Sequence, residues 1–157
     1  MKRLASLAIS LTILACATPQ SGTSRNASIP GHGAISIEIV PNPIVAKPIS
    51  GNTYEFPFDV VVRETGGRAV TINRVSLEVY ALGGMRVGGE AYDAARIQSL
   101  GYSTNVPGNG ELRYHFAPRQ SVSDDRLFGG VSGEVRVSAS DETATPASAM
   151  TTVTVTR

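Results

Sequence analysis

Cysteine and histidine most often carry out chemistry near neutral pH, and this sequence contains one cysteine, Cys16, and two histidines, His32 and His115. A thiolate can act as a nucleophile or accept a covalent group, and an imidazole can transfer a proton or bind a metal. His32 stands between two glycines, His115 falls on the polar phase of an alternating segment, and neither has another ligand-type residue at a useful spacing. We therefore expect both histidines at the surface and predict no metal site.

Two pairs of adjacent carboxylates, Asp124-Asp125 and Asp141-Glu142, could supply acid–base catalysis or calcium ligands. Both pairs have turn-like surroundings, in which solvated acids are the expected interpretation. No Gly-x-Ser-x-Gly motif marks a nucleophilic serine, and the glycine pairs do not form a phosphate-binding loop. We predict a protein that is not an enzyme and holds no cofactor; an enzyme whose site is assembled from scattered acids is a remaining alternative.

The surroundings of Cys16 indicate export. Lys2 and Arg3 precede an apolar run, residues 4–15, that ends at this cysteine. A charged start, a short apolar core and a small-residue end are typical of a signal peptide. As a helix the run would cover about 18 Å, well short of a hydrocarbon core of about 30 Å, so we expect it to be removed rather than to span a membrane.

The residues before the cysteine, Ile13, Leu14 and Ala15, resemble the lipobox of bacterial lipoproteins. That family usually has Leu where Ile13 stands and a small residue where Leu14 stands. The resemblance implies cleavage before Cys16, lipidation of its sulfur and, because Ala17 rather than Asp follows, an outer-membrane location. Ala15-Cys16-Ala17 also fits an ordinary signal peptidase site, and cleavage before Thr18 would give a soluble periplasmic or secreted protein.

The chain divides into a signal peptide (1–15), a lipidated flexible tether (16–33) and one domain (34–157). The tether is rich in small and polar residues and has little to bury. The whole chain has 14 basic and 13 acidic side chains, and loss of Lys2 and Arg3 leaves 12 and 13. A nearly neutral protein without a basic cluster is not expected to bind nucleic acid.

Within the domain, apolar and polar residues alternate with the period of two that is typical of strands. The alternating apolar positions predicted to face the core are Ile35, Ile37 and Ile39; Tyr54, Phe56, Phe58, Val60 and Val62; Val70 and Ile72; Val75, Leu77 and Val79; Leu112, Tyr114 and Phe116; Val135, Val137 and Ala139; and Val153 and Val155. The phase slips at Asn73-Arg74, which predicts a β-bulge or a break between two strands. Residues 92–100 fit a strand or a helical turn equally well.

About seven short strands separated by turn residues predict an all-β fold, an antiparallel β-sandwich. The segment 58–82, with its Glu64-Thr65-Gly66-Gly67 turn between two Val-rich strands, resembles Ig-like and fibronectin type III-like domains, including cell-adhesion-related bacterial domains. The Cys-Trp-Cys core of antibody domains is absent from the sequence. A lipocalin-like barrel or a jelly roll is the alternative architecture.

If the strands alternate in direction, loops 41–53, 83–91 and 117–130 gather at one end of the domain, and loops 64–69, 101–110 and 140–148 gather at the other. The first set mixes charged and apolar residues in a way that suits protein contact: Arg86, Arg119, Asp124, Asp125, Arg126, Leu127 and Phe128. The Thr-rich segment 151–156 could pair with a partner's strand. We expect a membrane-anchored envelope lipoprotein that binds a protein or glycan or supports an assembly; the alternative is a soluble accessory or inhibitor domain that regulates an exported enzyme.

Overall fold

The computed structural model describes residues 25–122 and 124–157, with the side chains of 125–127 left out of the description. The predicted signal peptide, Cys16 and the first part of the tether lie outside these residues. The elements, in chain order, are β1 (Arg25–Ala27), β2 (Ile35–Val40), β3 (Ile44–Val45), β4 (Lys47–Ser50), β5 (Thr53–Glu55), β6 (Phe58–Glu64), β7 (Val70–Tyr80), β8 (Arg86–Asp93), α1 (Ala94–Ser99), β9 (Asn105–Val106), β10 (Glu111–Phe116), β11 (Arg119–Ser121), a 3-10 helix (Asp125–Gly130), β12 (Ser132–Asp141) and β13 (Pro146–Thr156).

The described strands form two main sheets and one small one. The long sheet has the order β1-β13-β12-β7-β8, with β3 and β9 added at its margins. The short sheet has the order β10-β6-β2, and the accessory sheet has the order β11-β5-β4. All pairings are antiparallel except the short one between β3 and β13. The predicted all-β sandwich is therefore confirmed.

The core lies between the long and short sheets and is built from the predicted alternation. Residues from both sheets belong to one buried apolar cluster, including Ile35, Val60, Val62, Val135 and Val137. Successive side chains of a strand point to opposite faces, so every second residue reaches this layer. Val61, which the alternation places outside, is also fully buried. It lies in the central strand β6, in register between Glu38 and Arg113, whose long side chains can cover it.

The aromatic stripe predicted from Tyr54 to Val62 is not one strand. Proline has no N–H to donate, and the ladder breaks where Pro57 and Pro118 interrupt the two paired strands. Across this break the Phe56 N–H donates to the Pro118 carbonyl at 2.9 Å. Tyr54 therefore belongs to the accessory sheet and to a second, smaller apolar cluster with Ala46 and Phe128.

Two open predictions are resolved in β7 and after β8. The phase slip is a bulge: Ser138 pairs with Arg74 and Ala139 pairs with Ile72, which leaves Asn73 as the extra residue in an unbroken strand. Residues 94–99 form helix α1, and the Asp93 side chain caps it by accepting from the Arg96 N–H at 2.8 Å. The predicted loop 83–91 was wrong in large part, because β8 begins at Arg86.

The end of the predicted tether packs on the domain. Arg25 to Ala27 pair with residues 148–150 of β13, so residues 25–27 are strand rather than coil. β13 pairs with β12 on its other side, and β3 pairs with its last residues. The open edge predicted at 151–156 is therefore occupied by β3 at residues 155–156, whereas residues 151–154 pair with β12 and, in the described part of the chain, with no strand on their other side. Among the described residues no helix is long and apolar enough to cross a bilayer.

Candidate functional site

The predicted grouping of loops at two ends is confirmed by contacts. At one end, the β7–β8 turn lies against the segment before β12, and Phe128 packs edge-on to Tyr54 with ring centroids 5.0 Å apart. We call this the hairpin end. At the other end, the backbones of Gly67 and Gly108 are in close contact, and Val70 pairs with Asp141. We call this the carboxylate end because two buried carboxylates, Glu64 and Asp141, organise it.

Glu64 holds three separate segments of the carboxylate end. Its Oε1 accepts from the Ala34 N–H at 3.1 Å and the Gly66 N–H at 2.7 Å, and its Oε2 accepts from the Gly67 N–H at 2.8 Å and the Asn109 N–H at 2.9 Å. Burial alone would raise the pKa of Glu64, but these four donors outweigh it and lower the pKa below its ordinary value. Glu64 therefore remains an acceptor-only carboxylate with all its bonds used for structure.

Asp141 was expected to be a solvated turn acid, and that expectation was wrong. Its Oδ1 accepts from the Thr143 hydroxyl at 2.7 Å and from the Thr143 and Thr145 N–H groups, both at 2.9 Å. Its Oδ2 contacts His32 Nδ1 at 3.0 Å and accepts from the Gly33 N–H at 3.3 Å. The Thr143 hydroxyl, the Thr145 and Gly33 amides and His32 together lower the pKa of Asp141.

His32 is likewise not a free tether residue, since its ring is two-thirds buried against Asp141. The arrangement of Thr143, His32 and Asp141 contains the residue types of a nucleophile triad, but the geometry differs from one. A triad needs the carboxylate on one ring nitrogen and the hydroxyl on the other. Here both the carboxylate and the Thr143 hydroxyl, at 3.4 Å, face the same Nδ1. The cluster fastens residues 32–33 to the turn after β12.

The outer face of the short sheet carries a network of charges. Arg63 bridges Glu38 and Glu111, with N–O distances of 2.8 and 2.7 Å. Asp59 accepts from Arg113 at 3.0 Å and contacts His115 Nδ1 at 2.8 Å, and these two partners lower the pKa of Asp59. The His115 side chain is 60% exposed, as expected for the polar phase. Among the described residues no group of three or more His, Cys, Asp or Glu side chains is placed to hold a metal ion.

The hairpin end presents exposed apolar side chains. The turn is closed by Ala81 N–H to Met85 O at 2.9 Å and by Gly84 N–H to Ala81 O at 3.0 Å, and Gly83 and Gly84 both have positive φ. This geometry places Leu82 at the outer corner of the turn. Leu82 is 86% exposed, Met85 66% and Val87 54%. Three large apolar residues within six positions are thus open to solvent, and the sequence patterns had not singled them out.

The other residues proposed for partner contact at this end have mixed positions. Phe128 is buried in the second apolar cluster, so its prediction as a contact residue was wrong. Arg119 is exposed and pairs with Glu55, and Arg86 lies 3.4 Å from Glu78. Asp124 is exposed. The side chains of Asp125, Arg126 and Leu127 lie outside the described part of the chain. An open groove of about 530 Å³ at this end is lined by residues 128–132 and 154–157.

Strand β8 forms one margin of the long sheet. In the described part of the chain it pairs with β7 and with no strand on its other side. Gly88 lies in the middle of its first half, and a β-carbon there would meet nothing within 4 Å, whereas one at Gly89 would come within 2.7 Å of the Leu77 carbonyl oxygen. An eight-residue edge strand offers a row of backbone groups to an added strand.

The comparisons with known proteins concern the fold. No family model matches the chain, and no curated protein matches it either. Among solved structures, the structural-genomics target SoR45 has a TM-score of 0.55 at 8% identity, over 82% of this chain and 90% of that one. A Bordetella pertussis protein assigned as ApaA also has a TM-score of 0.55, at 13% identity, over 78% of this chain and 94% of that one. At such identities the likeness extends to the architecture, and this chain shares an all-β sandwich fold with these structures.

Proposed function

We propose that this protein is a non-enzymatic, membrane-anchored envelope lipoprotein whose β-sandwich binds a protein partner through the edge strand β8. The observation that carries the binding role is the open edge of β8. The other margins of the two main sheets are less suited to strand addition. β1 has three residues, β2 is followed at once by Pro41, and β10 is six residues long and alternates with charged side chains.

The anchoring role is supported by the sequence before the described residues. Cys16 ends the only long apolar run and is the only cysteine, and the residues before it resemble a lipobox. A multiply acylated cysteine holds a protein stably at a bilayer, whereas one acyl chain holds it only marginally. The buried carboxylates support a structural rather than a catalytic role for the carboxylate end, because their oxygens are occupied by backbone and hydroxyl donors.

The anchor is tested by the intact mass of the protein recovered from the membrane fraction of a bacterial host. A mass equal to residues 16–157 plus acyl groups is the expected result. A mass equal to residues 18–157, with the protein recovered in the soluble fraction, would contradict the anchor and favour the soluble accessory or inhibitor domain.

The edge is tested by photo-crosslinking in intact envelopes, with benzoylphenylalanine introduced at Gly88 and, as the matched control, at Arg136. Arg136 is exposed on β12, which pairs at this position with β13 on one side and β7 on the other. We expect a defined protein adduct from position 88 only, and its mass spectrum would identify the partner. Equal adducts from both positions, or none from position 88, would contradict binding along β8.

A further inference from the structure

The exposed apolar residues are concentrated at one end of the sandwich. Of the eight large apolar side chains that are exposed in the described residues, six lie at the hairpin end: Val40, Val45, Ile49, Leu82, Met85 and Val87. Val45 pairs with Thr156, near the end of β13, and Ile49 lies in the accessory sheet. Exposed apolar side chains concentrated at one end of a domain are typical of a contact with another molecule or a membrane.

The direction of β1 shows from which end the preceding chain arrives. Arg25 pairs with Met150, and Ala27 pairs with Ser148. β13 runs toward the hairpin end. Thr154, near the end of β13, pairs with Ser132, which in turn pairs with Tyr80 just before the β7–β8 turn. Since β1 is antiparallel to β13, the chain runs away from the hairpin end as it passes through β1. At Arg25 the chain therefore comes from the hairpin end, with β1 at the margin of the long sheet opposite to β8.

The length of the preceding chain limits how far the domain can stand from its anchor. Eight residues lie between Cys16 and Arg25, and the nine Cα–Cα steps of this connection reach about 30 Å when fully extended. Along β13, the distance from Met150, which pairs with Arg25, to Thr154 is about 13 Å. An extended connection along β13 would therefore bring the Cys16 sulfur no more than about 17 Å beyond the level of Tyr80, where the β7–β8 turn begins.

We infer that the hairpin end, with Leu82 and Met85 at its tip, rests on the lipid bilayer that holds the acylated Cys16. This inference depends on the proposed lipid anchor. The bilayer fits these residues better than a second protein does because the connection from the anchor is short and arrives at this end. Apolar side chains at the tip of a turn can enter the boundary between headgroups and acyl chains without burying backbone from a sheet edge. In this orientation β8 rises from the membrane surface, with its edge open to a partner.

The chain has no tryptophan, so a single introduced tryptophan reports its own surroundings. The acylated full-length mature protein is reconstituted in vesicles of phosphatidylethanolamine and phosphatidylglycerol whose acyl chains are brominated. The test variant is Leu82→Trp and the matched control is Leu100→Trp, since Leu100 is also an exposed leucine, at 50%, but follows α1 away from the hairpin. We expect several-fold stronger quenching at position 82 than at position 100.

Each other outcome decides against the inference in a distinguishable way. If the mass shows an acylated Cys16 and both tryptophans are quenched equally or not at all, the membrane orientation is wrong and the anchor stands. If the tryptophan at position 82 loses its exposure to solvent only after envelope proteins are added to the vesicles, a protein rather than the bilayer covers this residue. The membrane orientation is then again wrong. If the mass shows no acylation, the proposed anchor fails and the inference that depends on it fails too.

Discussion

Gly66 lies directly against the backbone of His32: a β-carbon at position 66 would come within 2.3 Å of the His32 carbonyl oxygen. The contact joins the turn after β6 to the segment that leads into β2. The same turn donates two N–H groups to Glu64, which also accepts from Ala34. The turn and the N-terminal segment therefore form one unit, although about 30 residues separate them in the sequence.

We expect Gly66→Ala to lower the free energy of unfolding by about 1–3 kcal/mol, because the neighbour that must move is backbone. Urea denaturation measures the change. Gly88→Ala is the matched control, since a β-carbon at Gly88 meets nothing within 4 Å. Equal effects of the two substitutions would show that the contact between residues 66 and 32 is not tight.

Glu64→Ala should lower the free energy of unfolding by on the order of 3 kcal/mol, because four backbone N–H groups lose their acceptor at a buried position. Hydrogen exchange should accelerate at Ala34, Gly66, Gly67 and Asn109. Glu142→Ala is the control, since this side chain is exposed and we expect a change within about 0.5 kcal/mol. Unchanged exchange at Asn109 would mean that Glu64 does not hold the 107–110 turn.

Acid should destabilise the folded protein through the two buried carboxylates. The pKa values of Glu64 and Asp141 are lowered in the folded state, so the unfolded chain binds protons first as the pH falls, and stability falls with it. Their contribution is fully present above the ordinary carboxyl range of about pH 4–5 and is lost progressively below it. Denaturation midpoints measured between neutral pH and pH 3 test this, and Asp141→Asn should show a shallower dependence. A midpoint that does not change with pH would contradict the structural role of these carboxylates.

Phe128→Ala should cost about 3 kcal/mol if the second apolar cluster unfolds together with the domain. Phe128 is 7% exposed and packs on Tyr54 and Phe56. Ile49→Ala, at a residue that is 47% exposed, is the control with little expected effect. If the midpoint of unfolding is unchanged in Phe128→Ala, Phe128 is free to act as the contact residue that its loop position had suggested.

The buried face of a strand could be predicted where only one side of the strand packs against the core. Ile35, Ile37 and Ile39 alternate with polar residues and are buried as expected. The stripe from Tyr54 to Val62 kept its phase but joined two different clusters, because proline breaks the ladder in both paired strands. β8 was missed because Gly88 and Gly89 have low strand propensity. The strand is stabilised instead by its pairing with β7.

The candidate sites were harder to predict than the fold. His32 and Asp141 are 109 residues apart in sequence, and each looks like a solvated residue when its neighbours alone are considered. Glu64 stands in a turn motif that gives no sign of its burial. The exposure of Leu82 also depends on which distant segments of the fold pack beside the hairpin. A local sequence pattern does not contain that information.

The sequence by itself determined which residues of most strands face the core and where the chain turns, because a period of two and the backbone preferences of glycine and proline are local properties. The export segment and the lipidation of Cys16 stay predictions from the same kind of local pattern. The tertiary structure alone decided that β13 lies between β1 and β12 whereas β8 is an edge, that Glu64 and Asp141 are buried acceptors, and that β1 runs away from the hairpin end. These properties depend on which distant segments meet, and that is settled by the joint packing of both sheets rather than by any one segment.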